Sequence, residues 1–306
     1  MTPMTINTLV IPTDGSKIAE RAAQRGFDIA TQLDAAVHVL SVADSSLATG
    51  VGYSGNSPRM LRRLRELATE RADHVGKNAS ARGLTVTTAT REGIPAQEIV
   101  AYANEHDLDG IVIGTSGRGG VSRAVIGSVA DKVIRTASTP VITLNRSTLD
   151  SDNATGNIET ILLPTDGSGP AARAASRGIE LAEQLDARVH VLSVVASNHR
   201  DEISSWAKEE GMTTSEFAPD AIESIAVECR DRGVDVVTSI RSGRPAEEIV
   251  DYVSENEIGG IAIGTQGHGG FERWLVGSVT DTVVRTARVP VITIRVPQVL
   301  LDAGEE

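Results

Sequence analysis

Two short segments of this chain carry residue types suited to a phosphorylated ligand, and each occurs twice. The first is Pro12-Thr13-Asp14-Gly15-Ser16, which returns as Pro164-Thr165-Asp166-Gly167-Ser168. Asp-Gly makes a turn, and the serine can cap a helix that follows. Capping accounts for Ser16 as well as any binding role does. The carboxylates of Asp14 and Asp166 remain, able to accept from a ribose hydroxyl or to hold a metal ion. The second segment is Gly114-Thr115-Ser116-Gly117-Arg118-Gly119-Gly120, with Gly127-Ser128 after it. Its counterpart is Gly264-Thr265-Gln266-Gly267-His268-Gly269-Gly270, with Gly277-Ser278 after it. Glycine leaves room for another group against the backbone. Successive N–H groups leading into a helix start form an anion site, to which the hydroxyls of Ser128 and Ser278 add donors. Arg123 and Arg273 lie in the same loops, where a guanidinium could fork onto a terminal phosphate or pair with a surface acid. A surface turn explains one such loop; two with identical spacing favour phosphate.

The elements that must position these loops are also written twice. Gln32-Leu33-Asp34 through Val42 returns as Gln184-Leu185-Asp186 through Val194, and Gly93-Ile-Pro95-Ala96 returns as Gly243-Arg-Pro245-Ala246. From Gly114 to Leu144 against Gly264 to Ile294, 18 of 31 positions are identical. The spacing between copies is 152 early and 150 later, so the copies differ by a small indel. In the first copy β-branched runs at Thr8–Ile11, Val37–Val42, Leu84–Thr90, Ile111–Ile113 and Val141–Leu144 read as strands. Between them, helical spacing covers Ala19 to Leu33, Pro58 to Arg82, Ala96 to Glu105 and Ser128 to Ala137. Alternation of this kind predicts an α/β fold with a doubly wound parallel sheet in each copy, ligands sitting at the strands' carboxyl ends. We expect one domain over 1–147, a polar linker over 148–157 and a second domain over 158–306.

Length and composition agree. At roughly 150 residues per domain, 306 residues suffice for two cores, and 40% hydrophobic with 23% charged is ordinary for a globular chain. Aromatics are only 3%, so Val, Ile, Leu and Ala must build the cores. No apolar run reaches the roughly 20 residues of a membrane span, and the start lacks the basic and apolar regions of a secretion signal. One cysteine, Cys229, excludes an intramolecular disulfide framework and a cysteine-rich zinc site. A cytoplasmic protein is expected. Asp and Glu total 41 against 29 Lys and Arg, a formal net charge of −12, which disfavours nucleic acid and anionic membranes as partners. The one basic run, Arg59 to Arg65, has the spacing of a solvated helix face. Lysine is confined to Lys17, Lys77, Lys132 and Lys208, and such a surface suits a high-salt, halophilic interior.

The common nucleotide signatures are missing. Gly76-Lys77 is followed by Asn78, so no P-loop is present, and neither glycine loop fits the dinucleotide fingerprint. His38 and His190 alternate with apolar residues in Val-His-Val-Leu-Ser, as packed or rim residues do, and no second His or Cys stands at metal-ligand spacing. No catalytic set is readable from the spacing.

Gly-x-x-Gly, nine residues, then Gly-Ser is the pattern by which the chain resembles the universal stress protein family. It is met by Gly114, Gly117, Gly127 and Ser128, and again by Gly264, Gly267, Gly277 and Ser278. The Pro-Thr-Asp-Gly-Ser turn and Gly-x-Pro-Ala-x-x-Ile match too, so the resemblance covers nearly the whole chain in tandem. It implies five strands in the order 3-2-1-4-5, pairing of domains through their fifth strands, and ATP or another adenine nucleotide as ligand, with Mg2+. It places Pro12, Thr13 and Asp14 beside adenine and ribose, the backbone of Val42 on adenine, and Ile113 near the nucleoside. Gly114, Gly117, Gly127, Ser128 and Val129 would hold ribose and phosphates. In the second copy these places fall to Pro164, Thr165, Asp166, Val194, Ile263, Gly264, Gly267, Gly277, Ser278, Val279 and Thr280. Two departures stand out: the frequent loop histidine is Ser116 or Gln266, and the hydroxyl of Thr280 becomes Ala130 in the first copy. A regulatory nucleotide binder, possible as a homodimer, is the expectation. A slow ATPase or adenylate-transferring enzyme would instead show turnover lost with Asp14→Ala and Asp166→Ala. A dimerisation module without nucleotide would tolerate Gly127→Val or Gly277→Val.

Overall fold

The computed structural model describes residues 4–48, 58–115, 126–150, 157–196, 219–265 and 276–295. They fall into two compact units, one over Ile6–Asn157 and one running from Ile158 onward that also takes in Met4 and Thr5. The amide of Met4 donates to Glu180 Oε2 at 2.8 Å, so the first residues described belong with the second copy.

The first unit runs β1 (Thr8–Pro12), α1 (Lys17–Leu33), β2 (Ala36–Asp44), a 3-10 turn (Ser45–Ala48), α2 (Pro58–Ser80), β3 (Val86–Gly93), α3 (Pro95–Glu105), β4 (Gly110–Gly114), α4 (Ser128–Thr136), β5 (Val141–Leu144) and α5 (Arg146–Asp150). Its strands are parallel in the order β3-β2-β1-β4-β5. The second unit repeats the plan. It runs β6 (Thr160–Thr165), α6 (Gly169–Leu185), β7 (Arg188–Ala196), α7 (Pro219–Asp231), β8 (Val236–Gly243), α8 (Pro245–Glu255), β9 (Gly260–Gly264), α9 (Ser278–Thr286) and β10 (Val291–Ile294). Its parallel order is β8-β7-β6-β9-β10. Each unit is therefore the doubly wound sheet expected, with strands 3-2-1-4-5. No helix among the described residues is long and apolar enough to cross a membrane.

Small residues let helix and sheet approach closely where aromatics are scarce. Leu9, Val10 and Ile11 are buried, and Ala22, Ala23, Phe27 and Ala30 form the covering stripe of α1. A Cβ on Gly26 would stand 2.8 Å from Ile11 Cδ1, so only glycine admits this approach. Both first helices end at an aspartate in the left-handed region, Asp34 and Asp186, each at φ 52°.

Most element ends shift by a residue or two from the sequence reading, and two of the differences have a clear physical cause. β3 starts at Val86 and runs to Gly93, because its full register against β2 (Val37↔Val86 to Asp44↔Gly93) decides its length. The expected linker, 148–157, starts inside a helix, α5, whose Thr148 and Leu149 are buried. Asn145 Oδ1 accepts from the Thr148 amide at 2.8 Å, and Arg21 bonds the Leu149 carbonyl and the Asp150 carboxylate. Residues 145–150 therefore belong to the first unit, while 151–156 lie outside the described residues.

Candidate functional site

Hydrogen-bond parity along β1 opens a crevice at its carboxyl end. In a parallel ladder the N–H and C=O of one residue point to the same neighbour. The Thr13 amide donates to Leu40 O at 2.8 Å, whereas Thr8 O accepts from Asp109 N at 3.1 Å. Odd positions of β1 thus face β2 and even ones face β4. Pro12 faces β4 and has no N–H to give. Pairing with β4 stops at Val10↔Ile111, while pairing with β2 continues to Pro12↔Leu40. In the second unit Pro164 holds the same place. Pairing of β6 with β9 stops at Leu162↔Ile261, and its pairing with β7 runs to Thr165↔Ser193. The strand order reverses here, where open α/β sheets receive ligands.

The turn after each first strand is held by its own side chains. Thr13 Oγ1 accepts from the Gly15 amide at 3.2 Å, Asp14 Oδ1 from the Ser16 amide at 2.9 Å, and Ser16 Oγ from the Ala19 amide at 3.2 Å. Thr165, Asp166 and Ser168 repeat the set at 3.2, 3.0 and 3.2 Å. Gly15 and Gly167 stand at φ 74° and 79°, a region that favours glycine. Ser16 and Ser168 are therefore helix caps. Asp14 is half-buried and Asp166 exposed.

Val42 and Val194 lie at the same end. Ala36 N donates to Asn7 O while Val37 N donates to Thr85 O, so even positions of β2 face β1. The N–H and C=O of Val42 point toward a β1 that has already turned away at Asp14. Val194 has the same parity, since Arg188 N donates to Glu159 O and Val189 N to Asp235 O. Ile113 and Ile263 close the crevice from β4 and β9, both buried.

The start of α4 is drawn to that end by backbone bonds. Thr115 N donates to Leu144 O, and Gly127 N returns to Thr115 O. In the second unit Thr265 N donates to Ile294 O at 3.1 Å and Gly277 N to Thr265 O at 3.0 Å. Gly127 and Gly277 are N-caps, and no side chain caps either helix among the described residues. The N–H groups of Ser128, Val129 and Ala130 precede the first intrahelical donor, Asp131 N to Gly127 O, and those of Ser278, Val279 and Thr280 stand alike. Thr280, 4% exposed, donates its hydroxyl to Gly264 O at 2.7 Å, so it ties α9 to β9. Gly114 has a packing reason of its own, since a Cβ there would meet Ala22 and Ile18 of α1 at 3.3 Å. Gly117, Arg123, Gly267 and Arg273 lie outside the described residues.

Sequence reasoning passed over Ser41. It is wholly buried, and its hydroxyl donates to Thr13 O at 2.9 Å, fixing the turn from β2. The repeated Val-His-Val-Leu-Ser was the available signal. The histidines of that motif pack away from the site: His38 and His190 each place Nδ1 2.9 Å from a tyrosine hydroxyl, Tyr102 and Tyr252. Burial lowers both imidazole pKa values, aided by His106 for His38 and by Arg188 for His190. Among the described residues no three His, Cys, Asp or Glu side chains gather as a metal site.

Comparison with known proteins adds to this geometry. A model of the universal stress protein family matches residues 5–145 and again 157–295. A universal stress protein of Methanocaldococcus jannaschii is 38% identical over 138 residues, 45% of this chain and 81% of its own length. One of Mycobacterium tuberculosis is 27% identical over 310 residues, 94% of this chain and 96% of its own. The crystal structure of a universal stress protein from Archaeoglobus fulgidus shares the fold at TM-score 0.72 and 20% identity, covering 96% of this chain and 97% of that one. With both halves matched, the chain belongs to the universal stress protein family, in tandem form.

Proposed function

We propose that each copy binds an adenine nucleotide and that the bound state regulates which partner the protein engages. One observation carries this reading: in both units the strand pairing opens at Pro12 or Pro164, and the same crevice receives an aspartate turn and a helix start that no described side chain caps. Asp14 and Asp166 accept from the ribose hydroxyls, Val42 and Val194 present backbone to adenine, and Ile113 and Ile263 pack on the nucleoside. Phosphates meet the N–H groups at the starts of α4 and α9, beside Ser128 and Ser278. The fit is supported at Gly277, where an added Cβ would find, among the described residues, only Thr265 O, at 3.8 Å. Mg2+ would neutralise phosphate charge, with Asp14 or Asp166 as protein ligand. Pairing of the copies through their fifth strands, and a homodimer of chains, belong to the same reading; light scattering against the 32.2 kDa chain tests the latter.

Mass spectrometry of the denatured, freshly purified chain is expected to release adenine nucleotide, and calorimetry with Mg-ATP to show heat. No released nucleotide together with no heat overturns the reading.

A further inference from the structure

The two crevices differ in a residue that neither motif contains. On the first copy's turn, Arg71 of α2 lies against Gly15. A Cβ built on Gly15 would stand 2.9 Å from Arg71 Nε, 3.0 Å from Cδ and 3.1 Å from Cγ. The stem of the arginine thus occupies the space that the missing side chain leaves, and its guanidinium is held at the turn carrying Asp14. On the second copy's turn, the neighbour of Gly167 is the methyl group of Ala221, at 3.7 Å. Arg71 and Ala221 are the same position of the repeat, 150 residues apart like Gly93 and Gly243. The helix faces confirm the match: Ala72, Val75 and Ala79 are buried on α2, as Ile222, Ile225 and Cys229 are on α7.

A half-buried cation beside a ligand crevice acts through a lower effective dielectric than bulk water, and here it stands in a chain of net charge −12. From this we infer that Arg71 is a binding determinant of the first site alone, favouring phosphorylated over unphosphorylated adenine ligands there. The second site has Ala221 in its place. The inference rests on the nucleotide reading above and gives it a direction: the copies are unequal, and the first is the more selective for charge. Gly15 serves the same device, because any side chain there would displace the arginine stem.

Calorimetry on the full chain tests this with ATP and adenosine as the two probes. A Gly277→Asp background confines binding to the first site, and Gly127→Asp confines it to the second. In the first background, Arg71→Ala is expected to weaken ATP about tenfold, the scale of one charge interaction at an intermediate effective dielectric, with adenosine unchanged. Arg71→Lys should restore part of the loss, and ATP affinity should fall less steeply with salt in Arg71→Ala than in the parent. In the second background, Ala221→Arg should strengthen ATP and leave adenosine alone. Equal weakening of ATP and adenosine by Arg71→Ala would reduce the arginine to a prop for the turn and overturn the inference, as would no change in either. If the unsubstituted chain binds neither probe, the nucleotide reading itself falls and takes the inference with it.

Discussion

Gly127 and Gly277 have ordinary backbone angles, φ −64° and −57°, so the fold does not demand glycine for its conformation at either. A carboxylate there would cap the helix and complement its dipole, each effect worth from a few tenths to about 1 kcal/mol. It would also repel a phosphate. Gly277→Asp is therefore expected to leave thermal stability equal or slightly higher while abolishing nucleotide binding at the second copy; retained binding in calorimetry would remove phosphate from that helix start. The histidines make a second residue-scale prediction. Burial holds the native pKa of His38 and His190 below the usual value of about 6.5, so the unfolded chain takes up these protons more readily. Their contribution is complete above about pH 6.5 and is lost as the pH falls toward the depressed native values. Melting temperature should drop on going from neutral to mildly acidic pH, and the pair His38→Gln with His190→Gln should flatten that drop. An unchanged profile would place the acid sensitivity elsewhere. At this scale Asp14, Ser16 and the Gly-Ser pairs were legible because their chemistry is local. Ser41 and Arg71 were not, because they reach the turn from β2 and α2, far along the chain.

The elements owe their ends to short-range capping and their lengths to partners. Ser16 and Ser168 cap α1 and α6 through the amides of Ala19 and Ala171, both at 3.2 Å. Ser16→Ala and Ser168→Ala should each cost about 1 kcal/mol, read as a lowered urea midpoint in the full chain. A loss near zero would mean water replaces the cap. The interior of α6 is tighter: a Cβ on Gly178 would run into Leu163 and meet Ala262 at 3.2 Å. Gly178→Val should destabilise by about 1–3 kcal/mol through overpacking, more than either cap. Strand β5 was legible to the residue at Val141–Leu144. The start of β3 was not, since Leu84 is as apolar as the strand that follows and only pairing with β2 excludes it. Helix α5 hid in a polar run for a related reason. Asn145 can cap a helix, yet five residues hold a helix only when Thr148 and Leu149 have a surface to bury against.

Charge belongs to the whole molecule. A net charge of −12 repels itself, and among the described ion pairs several are exposed arginine–carboxylate contacts, such as Arg63–Glu66, Arg21–Asp150 and Arg230–Glu223. Exposed pairs contribute about 0–1 kcal/mol each and weaken with salt. If self-repulsion outweighs them, as the halophilic expectation requires, the unfolding midpoint rises from low to molar KCl; a flat or falling midpoint would reject it. By itself the sequence determined the duplication, the fold of each copy and the two repeated loops, because alternating periodicity, turn residues and glycine spacing act over a few residues. Only the tertiary structure decided that the strands part at Pro12 and Pro164, that α5 belongs to the first unit, and that Arg71 lies against the first copy's turn where Ala221 lies against the second's. Those facts depend on which face of a strand or helix meets which neighbour, and the pairing of segments distant in sequence is set by packing.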